Sequence, residues 1–388
     1  MRSQSLPQLQ PQQAQHAAAV LQAVRQAIAA HGGWLAFDDY LRIVLYAPGL
    51  GYYSAGSAKF GADGDFVTAP ELSDLFGRCV ARQCAQILEH CGGVVLELGA
   101  GTGALAASVL QALQQLQALP QRYCILEVSA DLRARQQQRL AALPAVLRGR
   151  VEWLDALPAQ PITGVLLANE VADALPFKRF LVGGGALLER GVALSAQGEL
   201  LEADRSPGAP LRAELERIGA GSAWPQGYQS EVCLMLSPWV VALGAALARG
   251  AAFIIDYGLP RREYYHPQRD SGTLRCHFRH HAHQDPLLYP GLQDISAWVD
   301  FTRVAEAAVE AQLQVAGYCT QAAFLLATGI ESDLGAAGTT LERARLASQA
   351  QQLLLPQAMG ENFKVMALTR AIDEPLRGFA HQDLRRLL

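Results

Sequence analysis

The chain has 388 residues, 51% of them hydrophobic, with a net charge of −4 and a pI near 6.2. That is enough apolar material for one large domain with insertions or for two domains, and it argues against global disorder. The mildly acidic balance lacks the basic face of a nucleic-acid binder, and no window reaches 18 uninterrupted apolar residues.

Residues 1–15 are rich in Gln and Pro, carry no apolar signal core, and read as a disordered leader. Residues 14–31 are predicted helical. "WLAFDDYLRIVLYAPGLGYYS" follows as a short amphipathic helix ending at Pro48-Gly49. A glycine-rich loop, "AKFGADGDFVTAPELS", is expected to form a lid through Phe60, Gly61, Gly64, Asp65 and Phe66. It closes on Thr68-Ala69-Pro70-Glu71, the pattern of a capping box with Pro in the first turn. The next helix carries Leu72, Leu75, Phe76, Cys79, Val80, Ile87 and Leu88 as its apolar stripe.

Strands and helices then alternate. Strands are predicted at 94–99, 123–129, 151–157 and 164–170, with helices over 104–116 and 131–143 between the first three. The glycine-bearing alternation after 180 suggests β-hairpins, and 180–230 reads as an insertion. Strand character resumes at 251–258; helices and a short strand near "YCTQ" fill 294–330; 362–370 is the last strand, before a tail over 371–388. Continuous apolar strands alternating with helices imply an α/β fold with a mostly parallel, doubly wound sheet. Residues 16–90 form an N-terminal helical segment, and 91–179 with 231–370 form the core. The seven cysteines include no CxxC pair, which points to free thiols in a reducing compartment and a cytoplasmic protein. Positive charge is almost all Arg, the lysines being Lys59, Lys178 and Lys364, as in GC-rich bacterial genomes.

The strongest local pattern is "VVLELGAGTGALAASVL". A strand runs into Gly99, Gly101 and Gly103, which permit a tight turn and close approach of a ligand to the backbone, and a helix follows. Two ligands suit this pattern, because it also reads G-x-G-x-x-A, a dinucleotide fingerprint. Glu97 separates them. A carboxylate there repels a pyrophosphate, whereas S-adenosyl-L-methionine (SAM) has no phosphate and carries an ammonium and a sulfonium. Glu97 therefore favours SAM over NAD. Glu127, ending the second strand, suits a ribose diol in either case. Asp155, ending the third, suits an adenine amino group or a plain turn.

These residues belong to a wider resemblance. "YLRIVLYAPGLGYYS", "FGADGDFVTAPELSDLFG", "LELGAGTGAL", "ANEVADALPFKRF", "FIIDYG", "GTLRCHFRHHAHQDPLLYPGLQDISAWVDF", "GYCTQAAFLLATGI" and "MGENFKVMAL" span about 40–370. In these the chain resembles the MidA-like class I methyltransferases, whose eukaryotic members are mitochondrial factors for respiratory complex I assembly. The resemblance implies a SAM-binding Rossmann-like core and a protein arginine substrate, with monomer or homodimer as the expected state. It implies SAM contacts from Glu97, Gly99, Ala100, Gly101, Gly103, Glu127, Val128, Asp155 and Ala156, with Thr68 and Pro70 toward the methionine end. Two departures stand out. The loop is Gly-Ala-Gly-Thr-Gly where the family often has Gly-Pro-Gly-Arg-Gly, and Val171-Ala172 replace bulkier aromatics.

The fourth strand empties into Asn169, Glu170 and Asp173. An arginine acceptor needs carboxylates to hold its guanidinium and aim one nitrogen. Glu170 and Asp173 are expected to clamp the acceptor and Asn169 to orient donor or acceptor. The competing reading has Asp173 capping a helix at "ALPF" and Glu170 pairing with Arg179. Asp256, ending another strand, suits a pocket or a turn. Four histidines, His277, His280, His281 and His283, could hold zinc, but Arg275 and Arg279 beside them repel a cation; no metal is expected. A catalytically silent adaptor of the same fold is the alternative of a different class.

Overall fold

Apolar strands without alternation need cover on both faces, and the helices between them supply it. A computed structural model describes residues 6–55, 68–219, 224–335 and 338–388, which divide into two compact units. The larger comprises Val67–Asp173, Ser237–Pro260 and Val299–Leu388. Its main strands are β1 (Val94–Leu98), β2 (Tyr123–Leu126), β3 (Val151–Leu154), β4 (Ile162–Asn169), β5 (Leu247–Leu259), β6 (Gln314–Thr320) and β7 (Phe363–Arg370). They lie in the order β6-β7-β5-β4-β1-β2-β3. Neighbours from β5 through β3 pair in parallel, while β7 runs antiparallel to both β5 and β6. This is the doubly wound, mostly parallel sheet that the sequence predicts. The order reverses between β1 and β4, so a crevice opens at their carboxyl ends, where such sheets bind ligands.

Three helices matter for that crevice: α1 (Asp74–Cys91), α2 (Ala104–Gln115) and α3 (Ala130–Ala141). The Ser73 hydroxyl accepts from the Leu75 amide and starts α1, which buries the predicted stripe of Leu75, Phe76, Cys79, Val80 and Ile87. Gly77 lets α1 and α2 touch: a Cβ there would lie 1.8 Å from Ser108 Oγ. Phe76, Val95, Ile125, Val165 and Phe363 are fully buried in the same cluster. Each side chain of this kind contributes about 1.5–3 kcal/mol.

The smaller unit comprises Met1–Phe66, Ala174–Leu236 and Arg261–Trp298. Its sheet is built from Trp34–Ala36, Ala186–Leu194, Lys178–Gly183 and Gln229–Val232 in that order, with Leu200–Arg205 also on Ala186–Leu194. All pairs are antiparallel. The predicted hairpin turns at Gly184-Gly185, both left-handed, as a two-residue turn between twisted strands requires. Lys178 is bound to Asp38 at 2.7 Å and Glu189 at 2.9 Å. Helix Pro11–Ala30 buries Val20, Val24 and Ile28, and it starts inside the stretch expected as disordered leader, with Pro11 in its first turn.

Three local expectations are corrected. Trp34–Ala36 is a strand, paired with the distant Ala186–Leu194, and the helix begins only at Phe37. Thr68 makes no cap bond, so there is no capping box; the turn Ala69–Leu72 has four residues, and Glu71 is engaged elsewhere. The second strand ends at Leu126, because the Glu127 carboxylate takes the Ser129 amide and turns the chain. The glycine-rich lid expected over Phe60–Phe66 lies outside the described residues. Among the described residues no helix is long and apolar enough to cross a membrane.

Candidate active site

The loop between β1 and α2 holds three left-handed glycines, with φ of +60° at Gly99, +54° at Gly101 and +84° at Gly103. Side chains rarely adopt such angles, at a cost of roughly 1–2 kcal/mol per residue. At Gly101 nothing lies within 4 Å of where a Cβ would stand, so that face of the loop is open to a ligand. Ala100 is buried in the core behind it. Thr102 donates to Glu71, which also binds Arg139 at 3.1 Å. Glu71 thereby ties the Thr68–Pro70 turn to the loop.

Glu97 is buried in β1, and its Oε2 accepts from the Tyr123 hydroxyl at 2.7 Å. Burial pushes its carboxyl up to about 7; the Tyr123 bond opposes that shift and the Glu127 charge adds to it. Glu127 is also buried. Its Oε1 accepts from the Ser129 amide at 2.8 Å and its Oε2 from Gln136 Nε2 at 3.0 Å. Burial raises its pKa and these two bonds lower it. Val128, next in the chain, is 82% exposed, an apolar side chain left bare at the rim. Asp155 and Ala156 follow β3 in solvent, where Arg133 Nη2 binds Asp155 at 2.6 Å and also reaches the carbonyls of Glu127 and Leu154.

β4 delivers the acids. Glu170 sits at φ +54°, an uncommon conformation for a residue with a side chain. Its amide donates to Ile255 O at 2.9 Å, and its Oε1 accepts from Asn169 Nδ2 at 3.1 Å. Asn169 Oδ1 is buried with no hydrogen-bond partner among the described residues. Val171 stands against the glycine loop, its Cγ2 3.3 Å from a Cβ built on Gly99. Asp256, wholly buried, gathers the turn: Oδ2 accepts from the amides of Ala172 (2.9 Å) and Asp173 (3.2 Å), and Oδ1 from Tyr257 (2.9 Å). Burial raises the Asp256 pKa, and the nearby charge of Glu170 raises it further.

The structure thus brings Gly99, Ala100, Gly101, Gly103, Glu127 and Val128 together at the ends of β1 and β2, with Asn169, Glu170 and Asp173 beside them at the end of β4. Ala174–Phe177 is not helical, so Asp173 caps no helix there. His277, His281 and His283 lie on two strands of a separate small sheet in the other unit, with Arg279 and His280 in the turn between them. Among the described residues no group of three or more His, Cys, Asp or Glu could hold a metal ion.

Gln136 and Arg133 belong to no motif in the sequence. A signal existed for Gln136: it lies four residues from both Leu132 and Leu140, on the buried face of α3. Asp256 was visible, but its amide partners were not.

The cradle suits SAM. An open glycine face, a buried carboxylate at the end of the next strand and further acids close by favour a cationic nucleoside over a pyrophosphate. The family model for S-adenosyl-L-methionine-dependent methyltransferases matches residues 79–319. A COG1565 superfamily member from Burkholderia thailandensis, crystallised with S-adenosyl-homocysteine bound, is 44% identical, with a TM-score of 0.95 over 99% of this chain and 100% of its own. Protein arginine methyltransferase NDUFAF7, mitochondrial, of Danio rerio is 28% identical over 371 residues, covering 87% of this chain and 83% of that protein. Its Homo sapiens counterpart is 27% identical over 372 residues, covering 87% and 80%. Sheet order, glycine loop and family match agree: the chain belongs to the S-adenosyl-L-methionine-dependent methyltransferase family.

Proposed function

We propose that this methyltransferase modifies an arginine side chain of a protein. The observation that carries the reading is Glu170: a carboxylate held in a left-handed turn, fastened through its amide to Ile255 and through its oxygen to Asn169, one residue from the valine that touches the glycine loop. A guanidinium is planar and permanently charged, and paired hydrogen bonds to carboxylates fix its orientation. The names of the 27–28% identical relatives point the same way.

Bound SAM supplies a sulfonium methyl open to in-line attack. Glu127 would take the ribose hydroxyls, with Val128 and Asp155 on the side of the adenine. Thr68 and Pro70 would border the methionine end, and the buried Glu97 would gain its charge as a cation binds above it. Glu170 and Asp173 clamp the guanidinium, and Asn169 orients the group being methylated. The methylated nitrogen sheds one proton, for which the Glu170 carboxylate is the proposed acceptor. Orientation of the two reactants is the main catalytic contribution. All seven cysteines are free, which supports a reducing compartment such as a bacterial cytoplasm.

The test is transfer from labelled SAM into a lysate of the parent organism, with mass spectrometry of the marked residue. Label on an arginine of a wild-type substrate, absent with Glu170→Gln, is the expected result. Label on lysine, on a carboxyl group or on a small molecule overturns it. Titration with SAM and with NADH separates a silent adaptor, which binds neither.

A further inference from the structure

Gln136 is fully buried on α3, a costly place for an amide unless every polar atom is matched. All are. Its Nε2 donates to Gly101 O at 2.9 Å and to Glu127 Oε2 at 3.0 Å, and its Oε1 accepts from Trp153 Nε1 at 3.0 Å. An indole nitrogen can only donate, so Trp153 on β3 decides which end of the amide is oxygen. Both N–H groups are then directed at the site, one to the glycine loop and one to the carboxylate. The Gln136 backbone also backs Gly103, its Cα 3.4 Å from a Cβ built there.

We infer that Gln136 is a positioning residue for the cofactor, locking the glycine loop and the Glu127 carboxylate in one register through an amide whose orientation Trp153 sets. This rests on the reading of Glu127 as the ribose acceptor. Ser129 and Gln136 each donate to one oxygen of Glu127, which fixes the carboxylate plane. Without Gln136 the carboxylate rotates and the diol is held by one oxygen at a time.

The experiment is isothermal titration of the full chain with S-adenosyl-homocysteine and with its 2′-deoxyribose analogue, alongside thermal melts. Wild type should prefer the ribose form by about tenfold, the worth of one hydrogen bond to a charged group. Gln136→Leu keeps volume and removes the donors; it should weaken S-adenosyl-homocysteine about tenfold and shrink the ribose preference to about twofold. Gln136→Glu should be worse at pH 8, where two carboxylates face each other, and partly recover at pH 6, where a shared proton restores a donor. Trp153→Phe keeps an aromatic ring and frees the amide to flip. It should cost about threefold, an effect that vanishes in the Gln136→Leu background. An unchanged ribose preference in both Gln136→Leu and Trp153→Phe overturns the proposal, as does a loss that affects both ligands equally while the melting temperature falls. Glu127→Gln separates the two levels: if it leaves the ribose preference intact, the assignment of Glu127 fails first.

Discussion

At the ends of β1 and β2 each left-handed position in the loop falls on glycine, and the buried Glu127 carboxylate has an amide partner on each oxygen. At the ends of β4 and β5 the left-handed position falls on Glu170, whose charge raises the pKa of the buried Asp256. The first half of the rim is relaxed and hydrogen-bonded in advance. The second keeps a residue with a side chain in the left-handed region, next to a buried carboxylate whose pKa a neighbouring charge raises. A methyl donor that is bound every turnover suits a prebuilt cradle, and an acceptor that must be selected suits a site stabilised by the right partner.

Breaking each half should produce different losses. Glu170→Gln should lower methyl transfer about a thousandfold, the scale of a lost electrostatic partner in the transition state, while SAM affinity stays within twofold by titration. Equal loss of SAM affinity would move Glu170 into the cofactor half. Gly101→Ala meets no atom but forces a side chain to φ +54°, so it should weaken SAM binding about tenfold or more and leave strand content unchanged by circular dichroism.

Glu97→Gln sharpens the comparison through pH. Its carboxyl is raised to about 7, so the folded chain holds this proton more tightly than the unfolded one. The stability it contributes is complete below the ordinary carboxylate range and is lost as pH rises to about 7. The glutamine, which still accepts from Tyr123, should flatten that fall and leave the ligand-free variant on the order of 2 kcal/mol more stable at pH 8 relative to pH 5, by urea titration. A slope like wild type would place the titration elsewhere. Asp155→Asn should change SAM affinity least, within about threefold, because the side chain is 88% exposed and its pair with Arg133 is solvated.

Much of this was legible in the sequence, and for physical reasons. The runs of β1, β4 and β5 carry apolar residues on both faces, as parallel strands must, and Gly99, Gly101 and Gly103 announce a turn that other residues resist. The acids after β4 were conspicuous because a plain turn has no use for Glu170. Residues whose partners are remote in sequence were not legible. Glu71 follows Thr68 at the spacing of a capping box, yet its carboxylate goes to Thr102 and Arg139. Gln136 opens a run of three glutamines that looks like a solvated helix face. Trp34–Ala36 is a strand only because Ala186–Leu194 lies beside it.

The place of β7 bears on how the chain is made. The last of the described strands in sequence, it inserts between β5 and β6, and β6 pairs with no other strand among the described residues. During synthesis, therefore, β5 shows an open edge and β6 has no partner until residues 363–370 leave the ribosome. Unpaired strand edges are the places where nascent chains aggregate or recruit chaperones. A chain stopped before Phe363 should be captured by holdases even though every residue of the proposed methyl-donor cradle has already been translated.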